Sequence, residues 1–321
     1  MISLHTTIII PCFNEEKVIA ETYRRVKAVM KEFKKYEILF IDDGSRDQTP
    51  TILRNIARAD KSVRVLMFSR NFGHQPAVTA GIRHAAGDVA IIIDADLQDP
   101  PELFPEMIRI HQQEGANVVY GHRTKRKGES FFKKITAKLF YRSLNSLSEV
   151  PLPLDTGDFR LIDRKVMDAF CQFGEKNKYI RGIISWLGFS QAPIHYVREE
   201  RFAGETKYPF RKMVRFATTG LLYFTKKPLK LAMHLGMFCV FVGLAMAAWV
   251  LWLHLSGDAS VARGWPSQLI TIIFFGGVQL LTIGVLGGYI GSIFDEVKNR
   301  PEYIIGDAIN FPEHKPGKKH R

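Results

Sequence analysis

The chain has 321 residues, enough for more than one domain and a full core. Lysine and arginine total 45 against 32 aspartates and glutamates, so the formal net charge of +13 points to anionic partners: phosphates, nucleic acid or an acidic lipid surface. The three cysteines, Cys12, Cys171 and Cys239, have no paired spacing, which argues against a disulfide framework or a zinc site and fits a reducing compartment.

The first residues read as a strand from Thr6 to Pro11, followed at once by acidic residues, and not as a cleavable signal peptide. Asn14 is placed to cap a helix whose apolar positions Val18, Ile19, Val26, Met30 and Phe33 recur at helical spacing. A second strand, Glu37 to Ile41, ends at Asp42-Asp43-Gly44-Ser45, and a third runs from Val63 to Phe68. Gln75 to Ala86 reads as a helix with Gly87 as its stop. A fourth strand starts at Val89 and runs into Asp94 and Asp96, and Asn117 to Tyr120 reads as a fifth. Strands separated by helical segments predict βαβ units and a mostly parallel sheet. No Gly-X-Gly-X-X-Gly follows the first strand, so the ordinary dinucleotide fingerprint is missing.

The carboxylates at the end of the fourth strand stand out. Alternate side chains of a strand share a face, so Asp94 and Asp96 point to one place beyond its C-terminal end, where open α/β sheets bind ligands. Paired hard oxygens there suit Mg2+ or Mn2+ shared with a diphosphate. The plainer alternative is an acidic turn stopped by Pro100 and Pro101.

Two later segments are of another kind. Leu231 to Leu255 and Gln268 to Phe294 are uncharged and long enough to cross a hydrocarbon core, which takes about 20 residues. Lys226, Lys227 and Lys230 precede the first, Lys298 and Arg300 follow the second, and Asp258 and Arg263 cancel in the loop between. The positive-inside bias therefore places both ends in the cytoplasm, with Trp249, Trp252 and Trp265 near the outer boundary. Two basic amphipathic segments, at about 130–147 and 207–227, have the pattern of helices lying in the headgroup layer. The expected organisation is a cytoplasmic catalytic domain over 1–230 with those interface helices, two transmembrane helices over 231–294, and a basic cytoplasmic tail over 295–321.

The motifs accumulate in order: Pro11-Cys-Phe-Asn-Glu-Glu16, Asp42-Asp-Gly-Ser45, Ser69-Arg-Asn-Phe-Gly73, Asp94-Ala-Asp-Leu-Gln98 and Gly121-His-Arg123. Then come Asp155-Thr-Gly-Asp-Phe-Arg-Leu161, Lys178-Tyr-Ile-Arg-Gly182 and Arg201-Phe-Ala-Gly-Glu-Thr-Lys-Tyr-Pro209. Over nearly its whole length the chain resembles family 2 glycosyltransferases of the GT-A fold, a Rossmann-like α/β class. More narrowly, it resembles the bacterial polyprenyl-phosphate glycosyltransferases with two C-terminal spans that serve prophage-type O-antigen glucosylation, and it is similar to dolichyl-phosphate mannose synthases. It lacks the Gln-X-X-Arg-Trp of processive polysaccharide synthases.

The resemblance implies residue roles. Pro11, Asn14 and Glu16 would line the base and ribose, and Asp43 would accept from the uracil imide N–H. Asp94 and Asp96 would hold Mg2+ or Mn2+ on the diphosphate of the leaving UDP, with Gln98 touching donor or acceptor. Arg123 would grip phosphate with its guanidinium fork, the alternative being a salt bridge. Asp158 matches the carboxylate proposed as base in relatives. A lipid monophosphate is already mostly a dianion at neutral pH, so Asp158 is assigned to orienting the acceptor or stabilising the transition state, with Asp155 its rival. Arg160, Arg201 and Lys207 are candidates for the lipid phosphate. The implied reaction moves glucose from UDP-glucose to undecaprenyl phosphate at the cytoplasmic face of the bacterial inner membrane, in a homo-oligomer, with a tetramer suspected. GDP-mannose or a UDP-amino sugar is the rival donor, and a nucleotide-sugar sensor or scaffold the rival without turnover. A nucleic-acid partner is not expected, because much of the basic charge flanks the apolar segments.

Overall fold

The computed structural model describes residues 1–123, 156–176, 178–197, 227–256 and 265–311. They fall into two compact units. The first is built on an eight-stranded sheet in the order β7-β5-β6-β4-β1-β2-β3-β8. Its strands are β1 (Thr6–Cys12), β2 (Tyr36–Asp42), β3 (Val63–Phe68), β4 (Val89–Ile92), β5 (Val118–Arg123), β6 (Thr156–Asp163), β7 (Gln191–Tyr196) and β8 (Ile305–Ile309). β1 to β4 pair in parallel, as the alternation of strand and helix patterns predicts. β6 lies antiparallel between β4 and β5, and β7 pairs in parallel with β5 at the edge.

Helices cover both faces. α1 (Ile19–Met30), α2 (Thr49–Ala59) and α4 (Phe104–Glu114) pack on the side that holds Ile8, Ile10, Phe40 and Phe159. α3 (His74–His84), α5 (Arg164–Cys171) and α6 (Ile180–Trp186) pack on the side that holds Ile9, Leu39, Ile41 and Ile162. The triple isoleucine of β1 is wholly buried because each of its faces meets a helical layer.

Three local expectations are corrected. Asn14 does not cap α1, which starts at Ile19. Asn14 sits at φ +54 in the loop after β1, and its side-chain oxygen accepts from Arg46 N at 2.9 Å. An amide bonded to a neighbouring loop is no longer free to cap. Gly87 does not stop α3, which ends at His84. A Cβ on Gly87 would meet His5 O, Thr7 N and Val89 O at 2.7 Å, so the glycine permits backbone to pass against backbone. Third, the segment expected as a basic tail over 295–321 contains a strand: β8 pairs antiparallel with β3 and covers that strand's edge.

The second unit contains α7 (Lys227–Leu255) and α8 (Trp265–Val297). Their stretches Leu229–Trp249 and Thr271–Val297 have mean hydropathies of 2.0 and 1.8. At 1.5 Å per residue each is long and apolar enough to cross a membrane. The interface segments expected at about 130–147 and 207–227 lie outside the described residues.

Candidate active site

The loops after β1, β2 and β4 gather at the C-terminal end of the parallel strands. The first two are stitched together: Asn14 N donates to Ser45 Oγ at 2.9 Å, Glu15 N to Thr49 Oγ1 at 2.9 Å, and Gln48 N to Glu16 Oε2 at 3.0 Å. Pro11 is buried within β1 opposite Ile41. Asn14 and Glu16, expected to line base and ribose, thus also shape the loops themselves. Asp43 is 3% exposed and accepts from Phe72 N at 2.7 Å and Gly73 N at 2.9 Å. Burial raises the carboxyl pKa and these amides lower it; the balance is upward. Asp43 therefore fixes the Ser69–Gly73 loop, and its oxygens retain further acceptor positions.

β4 ends at Ile92, so Asp94 and Asp96 lie just past the ladder and not within it. The alternation nevertheless persists: Ala95, Leu97 and Asp99 are buried, while Asp94, Asp96 and Gln98 are half-buried. Thr22 Oγ1 holds the turn by donating to Ala95 O at 2.7 Å, and Leu97 takes φ +58. Burial pushes Asp94 up to about 6, helped by the charges of Asp158, Asp96 and Asp99 and opposed by His74. A crowded, half-exposed set of hard oxygens fits a divalent cation that takes its remaining ligands from phosphate and water. Among the described residues no group of three or more His, Cys, Asp or Glu forms a complete metal cage.

Asp158 lies on β6 with its side chain 13% exposed. Its Oδ2 meets His74 Nε2 at 3.0 Å, and its Oδ1 accepts from Arg181 Nε at 2.7 Å. His74 Nε2 also stands 3.8 Å from Asp94 Oδ1, which links this cluster to the carboxylate pair. Two helix starts deliver the partners: His74 opens α3, Arg181 follows the first residue of α6, and Ile180 N donates to Gln75 Oε1 at 3.1 Å between them. Burial disfavours charge on Asp158 and on His74, but the ion pairs win. Asp158 is held well below the usual carboxylate range, and His74 is raised to about 9 by Asp158 and Asp94.

Arg160 shares the face of Asp158, two residues on. It is 4% exposed, donates to Gly157 O at 3.0 Å, and leaves its buried Nε without a hydrogen-bond partner. Burial lowers it to about 10. Such a guanidinium is an incompletely satisfied cation beneath the site, whereas the expectation made it a direct phosphate ligand. Arg123 is engaged within the protein as well. Its Nε donates to Tyr196 Oη at 3.1 Å, its Nη2 lies 3.6 Å from Asp99 Oδ1, and Tyr196 bonds Asp99 as well. A Cβ on Gly157, on the other face of β6 from Asp158, would stand 2.2 Å from Arg123 Nη2. Arg123 thus forms the ion pair that was its alternative reading, and through it anchors the loop that follows β4. Tyr196→Phe should destabilise the domain by about 1–3 kcal/mol, because a buried carboxylate and guanidinium lose their shared hydroxyl. A thermal unfolding curve unchanged from wild type would contradict this.

Asp155, Arg201 and Lys207 lie outside the described residues. The sequence reading did not single out His74, Arg181, Tyr196 or Asp99. A signal for two existed: His74 directly follows Ser69–Gly73, and Arg181 sits inside Lys178–Gly182.

A mostly parallel sheet in which β6 and β8 are reversed, with acidic residues at its C-terminal rim, is the architecture of the GT-A glycosyltransferases. A glucosyl-3-phosphoglycerate synthase from Mycobacterium tuberculosis, solved with Mn2+, UDP and phosphoglyceric acid, matches the fold with a TM-score of 0.52 over 68% of this chain and 76% of that one, at 19% identity. The chain belongs to glycosyl transferase family 2, whose model matches residues 7–170. It is 50% identical over 300 residues to the uncharacterized glycosyltransferase YkcC of Bacillus subtilis, covering 93% of this chain and 92% of that one. It is 41% identical over 301 residues to the SfII prophage-derived bactoprenol glucosyl transferase of Shigella flexneri, covering 93% and 96%. The protein is a glycosyltransferase.

Proposed function

We propose that this enzyme transfers glucose from UDP-glucose to undecaprenyl phosphate at the cytoplasmic face of the bacterial inner membrane, held there by α7 and α8. The observation that carries the reading is the continuous cluster Asp94–His74–Asp158–Arg181 beside Asp96. On this reading a diphosphate-cation site at Asp94 and Asp96 lies next to two cationic side chains suited to a second phosphate. The full-length similarity to a bactoprenol glucosyl transferase supports the acceptor.

Asp94 and Asp96 would hold Mg2+ or Mn2+, which supplies charge neutralisation for the leaving diphosphate. Asp43, Asn14 and Glu16 frame the nucleotide end, and Gln98 follows on the metal side. His74 and Arg181, fixed by Asp158, orient the acceptor phosphate, with Arg201 and Lys207 reaching the same headgroup. An oxygen of the lipid phosphate attacks the anomeric carbon. Its C–O bond forms as the bond to UDP breaks, the electron pair leaves with UDP, and the anomeric centre inverts. A dianionic phosphate needs no proton removed. The membrane pre-orients the lipid, which converts a bulk encounter into a confined one. A homo-oligomer packed through α7 and α8 belongs to the same reading, and no role for nucleic acid does.

The test uses full-length protein in membranes, undecaprenyl phosphate and a panel of UDP-glucose, UDP-galactose, UDP-aminoarabinose and GDP-mannose. Label from UDP-glucose should enter the lipid fraction, with one UDP released per transfer. It should do so in sealed inverted vesicles, where added nucleotide meets the cytoplasmic face, and not in right-side-out ones. Transfer from GDP-mannose alone would overturn the donor, activity only in right-side-out vesicles the topology, and no transfer from any donor the enzyme reading in favour of a sensor.

A further inference from the structure

We propose that Glu302, Tyr303 and Ile304, just before β8, are a positioning element for the Asp158 site. The proposal rests on the reading of that cluster given above. Asp158 has two side-chain partners, and each is delivered by a loop that this segment braces. The first loop runs from Ser69 to His74. Ser69 N donates to Ile304 O at 3.0 Å. The Tyr303 ring stacks on Phe68 with centroids 5.0 Å apart and planes at 9°, and Phe68 meets Phe72 edge-on at 5.8 Å. The second loop runs from Lys178 to Arg181. Lys178 Nζ pairs with Glu302 Oε1 at 2.5 Å, with side chains only 1% and 4% exposed. The same Glu302 oxygen accepts from Arg83 Nη2 at 3.0 Å, in the last turn of the helix that His74 opens.

Glu302 therefore ties the far end of α3 to the approach to α6, and the starts of those helices hold the two faces of one carboxylate. A solvated surface pair would constrain nothing, but this one is almost without solvent. Each charge has a directed partner, so displacement of the segment leaves Lys178 uncompensated and frees both loops. A misplacement of about 1 Å in a positioning group costs up to a hundredfold in rate without touching the chemistry.

The test uses the full chain in lipid nanodiscs with UDP-glucose and undecaprenyl phosphate. Glu302→Gln should lower kcat roughly ten- to hundredfold, while the Kd for UDP with Mn2+, read by calorimetry, stays within about twofold. Tyr303→Leu, which removes the stack on Phe68, should show the same split. Wild-type kcat in a folded Glu302→Gln protein would overturn the proposal. So would a UDP affinity that falls in step with kcat, which indicates general loosening, or failure of both variants to fold, which makes the segment an edge support only. Asp158→Asn in the same assay separates the two levels. If it retains full turnover, the reading of the site fails. If it is inactive while Glu302→Gln is normal, this inference alone fails.

Discussion

Asp158→Asn is expected to lower kcat by roughly a hundredfold or more, by a similar factor at every pH from about 6 to 8.5. A general base would give another profile, with a defect largest at low pH, where the acceptor monoanion needs a proton removed. The geometry argues against that role. Both oxygens of Asp158 are engaged, by His74 Nε2 at 3.0 Å and Arg181 Nε at 2.7 Å. Burial alone would raise its pKa, but the hydrogen bond from His74 and the charge of Arg181 overrule it and hold the carboxyl well below its usual range. A carboxylate so stabilised in its ionised form is a poor proton acceptor and a good clamp. Asparagine keeps the size but offers one acceptor and one donor edge, so it holds one cation and repels the other. His74 keeps its proton up to about 9. Because a raised pKa preserves the charged form at every lower pH, the wild-type rate should stay level from about pH 7, where the acceptor is mostly a dianion, up to that point and fall above it. A defect that disappears at high pH would restore the base role, and unchanged turnover would move attention to Asp155.

Asp96→Ala should cost about a thousandfold in turnover, and excess EDTA should silence the wild type. Asp94 is pushed up to about 6 by burial and by the charges of Asp158, Asp96 and Asp99. Such crowding of like charge is relieved by a divalent cation shared with the diphosphate. Removal of Asp96 would take away one proposed ligand and the charge that would draw the cation in. Readdition of Mn2+ or Mg2+ after chelation should restore the rate and identify the preferred ion. Full activity in excess EDTA would exclude a metal role for the pair.

The parallel half of the sheet was legible because β1 to β4 are apolar runs separated by helical periods. Asp94 and Asp96 were legible as a pair because alternation outlasts the hydrogen-bonded ladder by several residues. β5 was legible too, from the run Asn117 to Tyr120, whereas β6, β7 and β8 were not. β6 carries Asp158 and Arg160 inside a central position, and charges in a run disguise a buried strand. β7 contains Pro193, tolerated because the strand lies at an edge. The partners of Asp158 were hidden for a simpler reason. His74 is 84 residues from it in sequence, and no local pattern encodes a contact across that distance. The partner of Arg123 was hidden because Asp99 sits beside the Asp94–Gln98 motif and looks from sequence like part of the acidic turn.

β8 also sets an order of events during synthesis. Arg54 and Asp307, which pair beside this strand, stand 253 residues apart. At about 5–20 residues per second, the edge of β3 therefore waits on the order of 10–50 s for its partner. Both apolar helices are made within that interval. The catalytic unit acquires its last strand, and Lys178 its counter-charge, only after the ribosome has finished α7 and α8. A chain cut short before those helices lacks them and also the segment that contacts the loops of His74 and Arg181. It carries an open strand edge that invites pairing with other chains. The order of the strands in the chain thus ties completion of the candidate site to completion of the two apolar helices.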